Sequence, residues 1–156
     1  MLKAWTEKSD DDFSIIDSHE KGSAIRDSSK KATLEARLKE RLRNSKNMVL
    51  IIGETTKDDI DWVPMEITYA IDNCDIPIIA AYTGYKYILQ PASHSNLWPA
   101  VLKTRIDNST ASVIHIPFKK EPLKDAISQF SHDNKPTIGL SYYSKDAYAS
   151  FGIQTN

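Results

Sequence analysis

The chain has 156 residues, of which 40% are hydrophobic and 26% charged, and its formal net charge is −1. These values predict one globular domain with a real core, and they exclude the strongly basic surface of proteins that bind nucleic acid or acidic membranes. The single cysteine, the lack of an apolar run of roughly 20 residues and the lack of a signal-peptide pattern predict a cytoplasmic protein without disulfides or membrane spans.

The first part of the chain alternates between strand-like and helix-like segments. Residues 12–17 are a short apolar run before the turn-rich residues 18–29, which predicts a strand and then a loop. Residues 30–46, KKATLEARLKERLRNSK, have a leucine stripe at helical spacing and predict a helix. Residues 47–54, NMVLIIGE, are apolar on both faces, as in a central parallel strand that helices cover on each side.

The stretch DWVPMEITYAI, residues 61–71, predicts a second helix with a single carboxylate beside its apolar stripe. Asp61 is placed to cap this helix, and Pro64 falls in the first turn, where a missing N–H group costs nothing. On a helical wheel, Glu66 lies at the edge of the stripe and next to Trp62. We therefore expect a partly exposed first-turn carboxylate that lies neither in the core nor on a plain charged face.

The remainder of the chain continues the alternation. The predicted elements are a buried strand over 75–84, a short helix over 97–106, a strand over 111–118 and a helix over 121–130. Beyond residue 130 the pattern weakens, and a strand, a short helix or a packed tail all stay open. We expect a domain over residues 1–130 and a C-terminal extension over 131–156.

Strands that alternate with helices predict a parallel sheet with right-handed crossovers, here an α/β, flavodoxin-like, doubly wound fold. In such folds, ligands bind at the carboxyl ends of the strands. Three polar clusters follow predicted strands at that edge, over residues 17–19, 53–56 and 83–84. The helix that carries Glu66 begins at the same edge.

The order of these elements, together with the phrases LKERLRNSKNMVLIIGETTK, WVPMEI and IHIPFK, resembles a TIR domain. The resemblance covers about residues 1–130 and is specific to the TIR-like family of bacterial Thoeris antiphage systems. It implies that Glu66 is the residue required for NAD cleavage and that Trp62 is the matching aromatic. It also implies that residues 18–28 form the BB loop, which borders the site and mediates self-association.

TIR domains normally have a further strand before the first helix, in the middle of the sheet. Here Met1 already falls in a helix-like segment, MLKAWTEK. The resemblance therefore implies that the first strand is missing, and we expect either an unfilled groove between the first two parallel strands or a neighbouring chain that occupies it.

Other side chains are candidates for binding or for the core. Ser18 and His19 follow the first predicted strand, and Arg26 in the next loop suits a pyrophosphate because a guanidinium group binds such groups bidentately. His115 in a strand and Cys74 on the apolar stripe are expected to be buried. The four histidines and one cysteine show no metal-ligand spacing, and neither GxGxxG nor a Walker A pattern occurs, so we expect no metal and no cofactor.

One carboxylate is sufficient for NAD cleavage, because nicotinamide leaves as a neutral molecule and needs no acid. The carboxylate then stabilises an oxocarbenium-like ribose. Water as acceptor gives ADP-ribose, and an internal nucleophile gives a cyclic ADP-ribose-type signal for a downstream effector. Two alternatives stay open, a non-enzymatic TIR-like assembly module and a nucleoside deoxyribosyltransferase-like enzyme.

Overall fold

The computed structural model describes residues 28–156. Residues 42–156 form one compact unit that contains the β-sheet, and residues 28–41 belong to a separate unit. The strand predicted over 12–17 lies outside the described residues. The missing first strand and the expected groove therefore stay predictions.

Helix α1, Ser28–Arg43, confirms the helix predicted over 30–46, although it ends three residues earlier. Leu34 and Leu38, which belong to the predicted stripe, are buried. Glu35 Oε1 and Lys39 Nζ form an ion pair of 3.0 Å beside this stripe, where both side chains are partly exposed. The apolar and charged sides of α1 are thus those that the 3.6-residue period predicts.

The sheet has four parallel strands in the order β1-β2-β3-β4. The strands are β1, Met48–Ile52; β2, Ile78–Tyr82; β3, Val113–Pro117; and β4, Ser141–Tyr142. The first three confirm the strands predicted over 47–54, 75–84 and 111–118, and each is shorter than its predicted range. Within the described residues, β1 is an edge strand. A parallel sheet with helical crossovers is the predicted α/β, flavodoxin-like class.

Four helices accompany the sheet: α2, Trp62–Thr68; α3, Ala100–Asp107; α4, Lys120–Gln129; and α5, Lys145–Ser150. Helices α2 and α3 pack on each other and share a hydrophobic cluster with alternate residues of β1 and β2 and with Val113 of β3. Helix α4 contacts β2 and β3. Because β2 and β3 are buried at all of their positions, both faces of the sheet are covered there.

Helix α3 begins at Ala100 and not at residue 97 as predicted, because a proline precedes it. Trp98 is extended (φ −78°, ψ 138°), the conformation that a residue before proline prefers. The residues before it, Pro91–Leu97, form a 3-10 helix that the sequence did not predict. This 3-10 helix lies between the end of β2 and the start of α3.

Residues 131–156 supply both a strand and a short helix, two of the three structures that the sequence left open. Strand β4 extends the sheet beside β3. Tyr148 of α5 is fully buried, and its hydroxyl accepts a hydrogen bond from the N–H of Ile88 and donates one to its carbonyl, both at 3.0 Å. The C-terminal helix is therefore hydrogen bonded to the backbone of the segment that follows β2. A domain boundary at residue 130 stays a prediction.

A buried chain of hydrogen bonds joins β2, β3 and the segment before α3. His115 is fully buried, with Nε2 at 2.7 Å from the carbonyl oxygen of Gly139 and Nδ1 at 2.7 Å from the hydroxyl of Tyr82. A carbonyl only accepts, so Nε2 carries the proton and the Tyr82 hydroxyl donates to Nδ1. The same hydroxyl accepts from Nε1 of Trp98 at 2.7 Å. The prediction of a satisfied core histidine is confirmed.

His115 makes folding stability depend on pH. Burial lowers its pKa from 6.5 to about 4, so the unfolded chain binds a proton over this range and the folded chain does not. Stability must therefore fall as the pH falls from about 6.5 to about 4, by about 3 kcal/mol from this one group. We expect urea unfolding between pH 7 and pH 4 to show this extra loss in the wild type relative to His115→Ala. Equal pH slopes in the two proteins would contradict a neutral, buried His115.

Candidate functional site at the carboxyl edge of the sheet

Helix α2 is capped by Asp59, and not by Asp61 as the sequence predicted. Oδ1 of Asp59 accepts hydrogen bonds from the backbone N–H groups of Asp61, Trp62 and Val63, at 2.9, 3.0 and 3.4 Å. The side chain of Asp61 makes no cap hydrogen bond. Asp59, three residues before the first residue of the helix, thus satisfies free N–H groups of the first turn. Asp61 directly precedes the helix, and that position alone does not make its side chain the cap.

Removing the cap should loosen the start of α2. We expect Asp59→Ala to lower the free energy of unfolding by about 1 kcal/mol, because three N–H groups lose their shared acceptor. Asp58→Ala is the matched control, since Asp58 is exposed and lies in the preceding 3-10 helix. Urea denaturation of both variants checks the prediction, and an equal effect of the two would show that Asp59 is not the cap.

Glu66 lies in the second turn of α2 and is buried, with 5% of its surface exposed. The expectation of a partly exposed, first-turn carboxylate was wrong. A helical wheel assigns one apolar stripe, whereas α2 has neighbours on more than one side because it contacts both the sheet core and α3. Trp62 is half-buried and lies four residues before Glu66, so the two side chains are on the same side of the helix.

A π-helix, Tyr69–Asn73, continues α2 without a break. The N–H of Cys74 bonds to the carbonyl oxygen of Tyr69 at 3.1 Å, the spacing of five residues that defines this form. Arg43 at the end of α1 donates a hydrogen bond of 2.8 Å to the Tyr69 hydroxyl. Wide turns of this kind are rare and occur often at functional sites, and this one begins three residues after Glu66.

Two of the three predicted polar clusters meet at the carboxyl edge. The N–H of Gly53 and the hydroxyl of Thr56 are hydrogen bonded at 2.9 Å, and the N–H of Thr83 bonds to the carbonyl of Ile52 at 3.0 Å. A Cβ on Gly53 would lie only 3.3 Å from the hydroxyl of Thr83, so a larger residue would crowd this contact. The third predicted cluster, residues 17–19, lies outside the described residues.

The 3-10 helix Pro91–Leu97 adds residues that the sequence analysis missed. Nζ of Lys57 donates a hydrogen bond of 3.0 Å to the carbonyl of Asn96, which ties this helix to the loop that leads into α2. The ring of His94 packs against those of Tyr85 and Tyr82, with centroid distances of 4.6 and 5.4 Å. The one sequence signal for this cluster is an aromatic residue directly after a strand-ending Gly.

The other predicted site residues divide into two groups. Ser18, His19 and Arg26 lie outside the described residues, so their roles stay predictions. Cys74 is half-buried and packs against the hydrophobic cluster, and burial raises the pKa of its thiol. Residues 28–156 contain no group of three metal-ligating side chains. No helix among them has the length and the apolar character that crossing a membrane requires.

A family model described as "Thoeris protein ThsB, TIR-like domain" matches residues 1–87, which is more than half of the chain. The chain belongs to this family. The resemblance inferred from the sequence is therefore confirmed, and the chain is a TIR-like defence protein with the parallel α/β sheet described above. The match includes the TIR-like segment with Trp62 and Glu66, and it ends before the 3-10 helix that carries His94.

Proposed function

We propose that this TIR-like protein cleaves NAD at the bond between nicotinamide and ribose. Glu66 is the catalytic residue, and Trp62 contacts the nicotinamide end of the substrate. NAD is the substrate and no cofactor takes part. The observation that carries the proposal is the position of Glu66, one turn after the aromatic Trp62 on a helix that starts at the carboxyl edge of a parallel sheet.

The chemistry needs one negative charge close to the ribose. When the bond between C1′ and the nicotinamide nitrogen breaks, its electron pair goes to the ring, which loses its positive charge. The positive charge that develops on the ribose is stabilised by the Glu66 carboxylate, and this effect is strong where water is excluded. An acceptor oxygen then bonds to C1′ and releases its proton to solvent. Water as acceptor gives ADP-ribose, and a hydroxyl of the same molecule gives a cyclic product.

The direct test is to incubate the protein with NAD and to measure released nicotinamide and the nucleotide product by chromatography. We expect nicotinamide together with ADP-ribose or a cyclic ADP-ribose-type molecule. Transfer of the deoxyribose of an added deoxynucleoside to a free base, without release of nicotinamide from NAD, would favour the deoxyribosyltransferase-like alternative. If the protein releases no nicotinamide from NAD, whether it is monomeric or self-associated, the proposal is contradicted.

The second candidate function is a non-enzymatic assembly module. The near-complete burial of Glu66 favours it, because a structural carboxylate is also withdrawn from water. In that case replacement of Glu66 would change the melting temperature and self-association, and nicotinamide would not be released by the wild type. The two functions are therefore separated by the same assay.

The proposed partners follow from the TIR-like family. We propose self-association through residues 18–28, with Ser18, His19 and Arg26 at the rim of the NAD site, and a downstream effector that senses the product. Light scattering of the wild type and of Arg26→Glu tests the role of this segment in assembly. The cytoplasmic location expected from the sequence stays a prediction.

A further inference from the structure

The segment after β2 carries two aromatic rings to which the proposed cleavage at Glu66 has so far assigned no role, those of Tyr85 and His94. Tyr85 and His94 lie with their ring centroids 4.6 Å apart and their planes at 74°. Tyr85 is 37% exposed, a large value for an aromatic residue beside a core. It follows Gly84, whose φ of 81° favours glycine although a Cβ there would meet nothing within 4 Å. The turn thus brings Tyr85 back over Tyr82, at a ring distance of 6.1 Å.

These two rings rest on a rigid base. The hydroxyl of Tyr82 is held by Trp98 and His115 in the buried chain of hydrogen bonds. Tyr148 fixes the backbone of Ile88 with two hydrogen bonds, between Tyr85 and the 3-10 helix that carries His94. A surface whose base and connecting backbone are held by hydrogen bonds loses little entropy when a ligand binds, which favours affinity.

His94 is half-buried, and its ring nitrogens make no hydrogen bond within residues 28–156. Burial lowers its pKa from the usual 6.5, so the ring is neutral at pH 7 and offers one donor and one acceptor. The nitrogens of a half-buried ring are free to exchange hydrogen bonds with water for hydrogen bonds with a ligand. A ligand ring that carries both donors and acceptors would match the donor and the acceptor of His94.

We propose that Tyr85 and His94 form a subsite for the adenine ring of NAD, with the base stacked on Tyr85 and hydrogen bonded to His94. This inference rests on the proposed NAD cleavage. The hydrogen bond from Lys57 to Asn96 ties the subsite to the loop before α2, so it lies at the same edge of the sheet as the start of the helix that carries Glu66. NAD carries adenine at the end opposite to nicotinamide, so the adenine subsite and Glu66 bind different parts of one substrate.

The experiment compares NAD with nicotinamide mononucleotide, which has the same scissile bond and lacks adenine. We expect Tyr85→Ala and His94→Ala each to lower kcat/KM for NAD about tenfold, since the stacking of one base on an aromatic side chain and one hydrogen bond to a base each have about this effect. Both variants should leave kcat/KM for the mononucleotide unchanged. Tyr85→Phe keeps the ring and should behave like the wild type, as should Tyr142→Ala, a matched control at an exposed tyrosine of β4.

An unchanged kcat/KM for NAD in both alanine variants would overturn the subsite, and so would an equal loss with both substrates. If the wild type cleaves neither substrate, the proposed function fails by itself, and titration with AMP still tests the subsite. AMP binding that weakens about tenfold in Tyr85→Ala would then support it. AMP binding that is absent, or that is equal in the two proteins, would overturn it.

Discussion

Glu66→Gln should lower the rate of nicotinamide release by about 10²–10³-fold, because the charge that stabilises the developing ribose cation is removed while the shape of the side chain is kept. The loss should appear in kcat and kcat/KM together, since the interaction exists only in the transition state. Single-turnover measurements with NAD, followed by the release of nicotinamide, check this prediction.

Stability separates catalysis from a structural role in the same variant. Glu66 is buried, and a buried charge is costly to desolvate, so a neutral residue of equal volume should change the free energy of unfolding by only about 1 kcal/mol and the melting temperature by about 4 °C or less. Glu121→Gln is the control, because this carboxylate is exposed in the first turn of α4. Full activity in Glu66→Gln would exclude the mechanism, and a loss of more than about 10 °C would show that the carboxylate holds the fold.

His115→Ala should cause the largest loss of stability among the variants discussed, about 3–5 kcal/mol, or about 10 °C in melting temperature. It removes a fully buried ring and leaves the Tyr82 hydroxyl and the Gly139 carbonyl without their partner. The cost of the cavity then adds to the cost of two lost hydrogen bonds, the one that the Tyr82 hydroxyl donates and the one that the Gly139 carbonyl accepts. Thermal and urea unfolding of the variant measure the effect.

The control for this prediction is His132→Ala, because His132 is exposed and its replacement should change stability by no more than about 0.5 kcal/mol. Tyr82→Phe tests the chain of hydrogen bonds separately, and we expect a loss of about 1–3 kcal/mol. The double variant should lose less than the sum of the two single variants, because both remove the same bond between Tyr82 and His115. Strict additivity would show that this bond contributes nothing.

The sequence by itself predicted the fold class, three strands of the sheet and the family. The reason is that periodicity and apolar runs are local properties: a strand such as β2, buried on both faces, needs apolar residues at every position. It also predicted that His115 is a core residue and that the loops after β1 and β2 meet, because the carboxyl ends of parallel strands lie at one edge.

Only the tertiary structure decided the surroundings of the candidate site. The burial of Glu66 depends on neighbours on more than one side of α2, which a helical wheel does not contain. The cap by Asp59 depends on the path of a loop, and the pairing of Tyr85 with His94 joins residues nine positions apart through a turn and a 3-10 helix. Contacts of this kind arise from packing between elements, and no local pattern of residues specifies them.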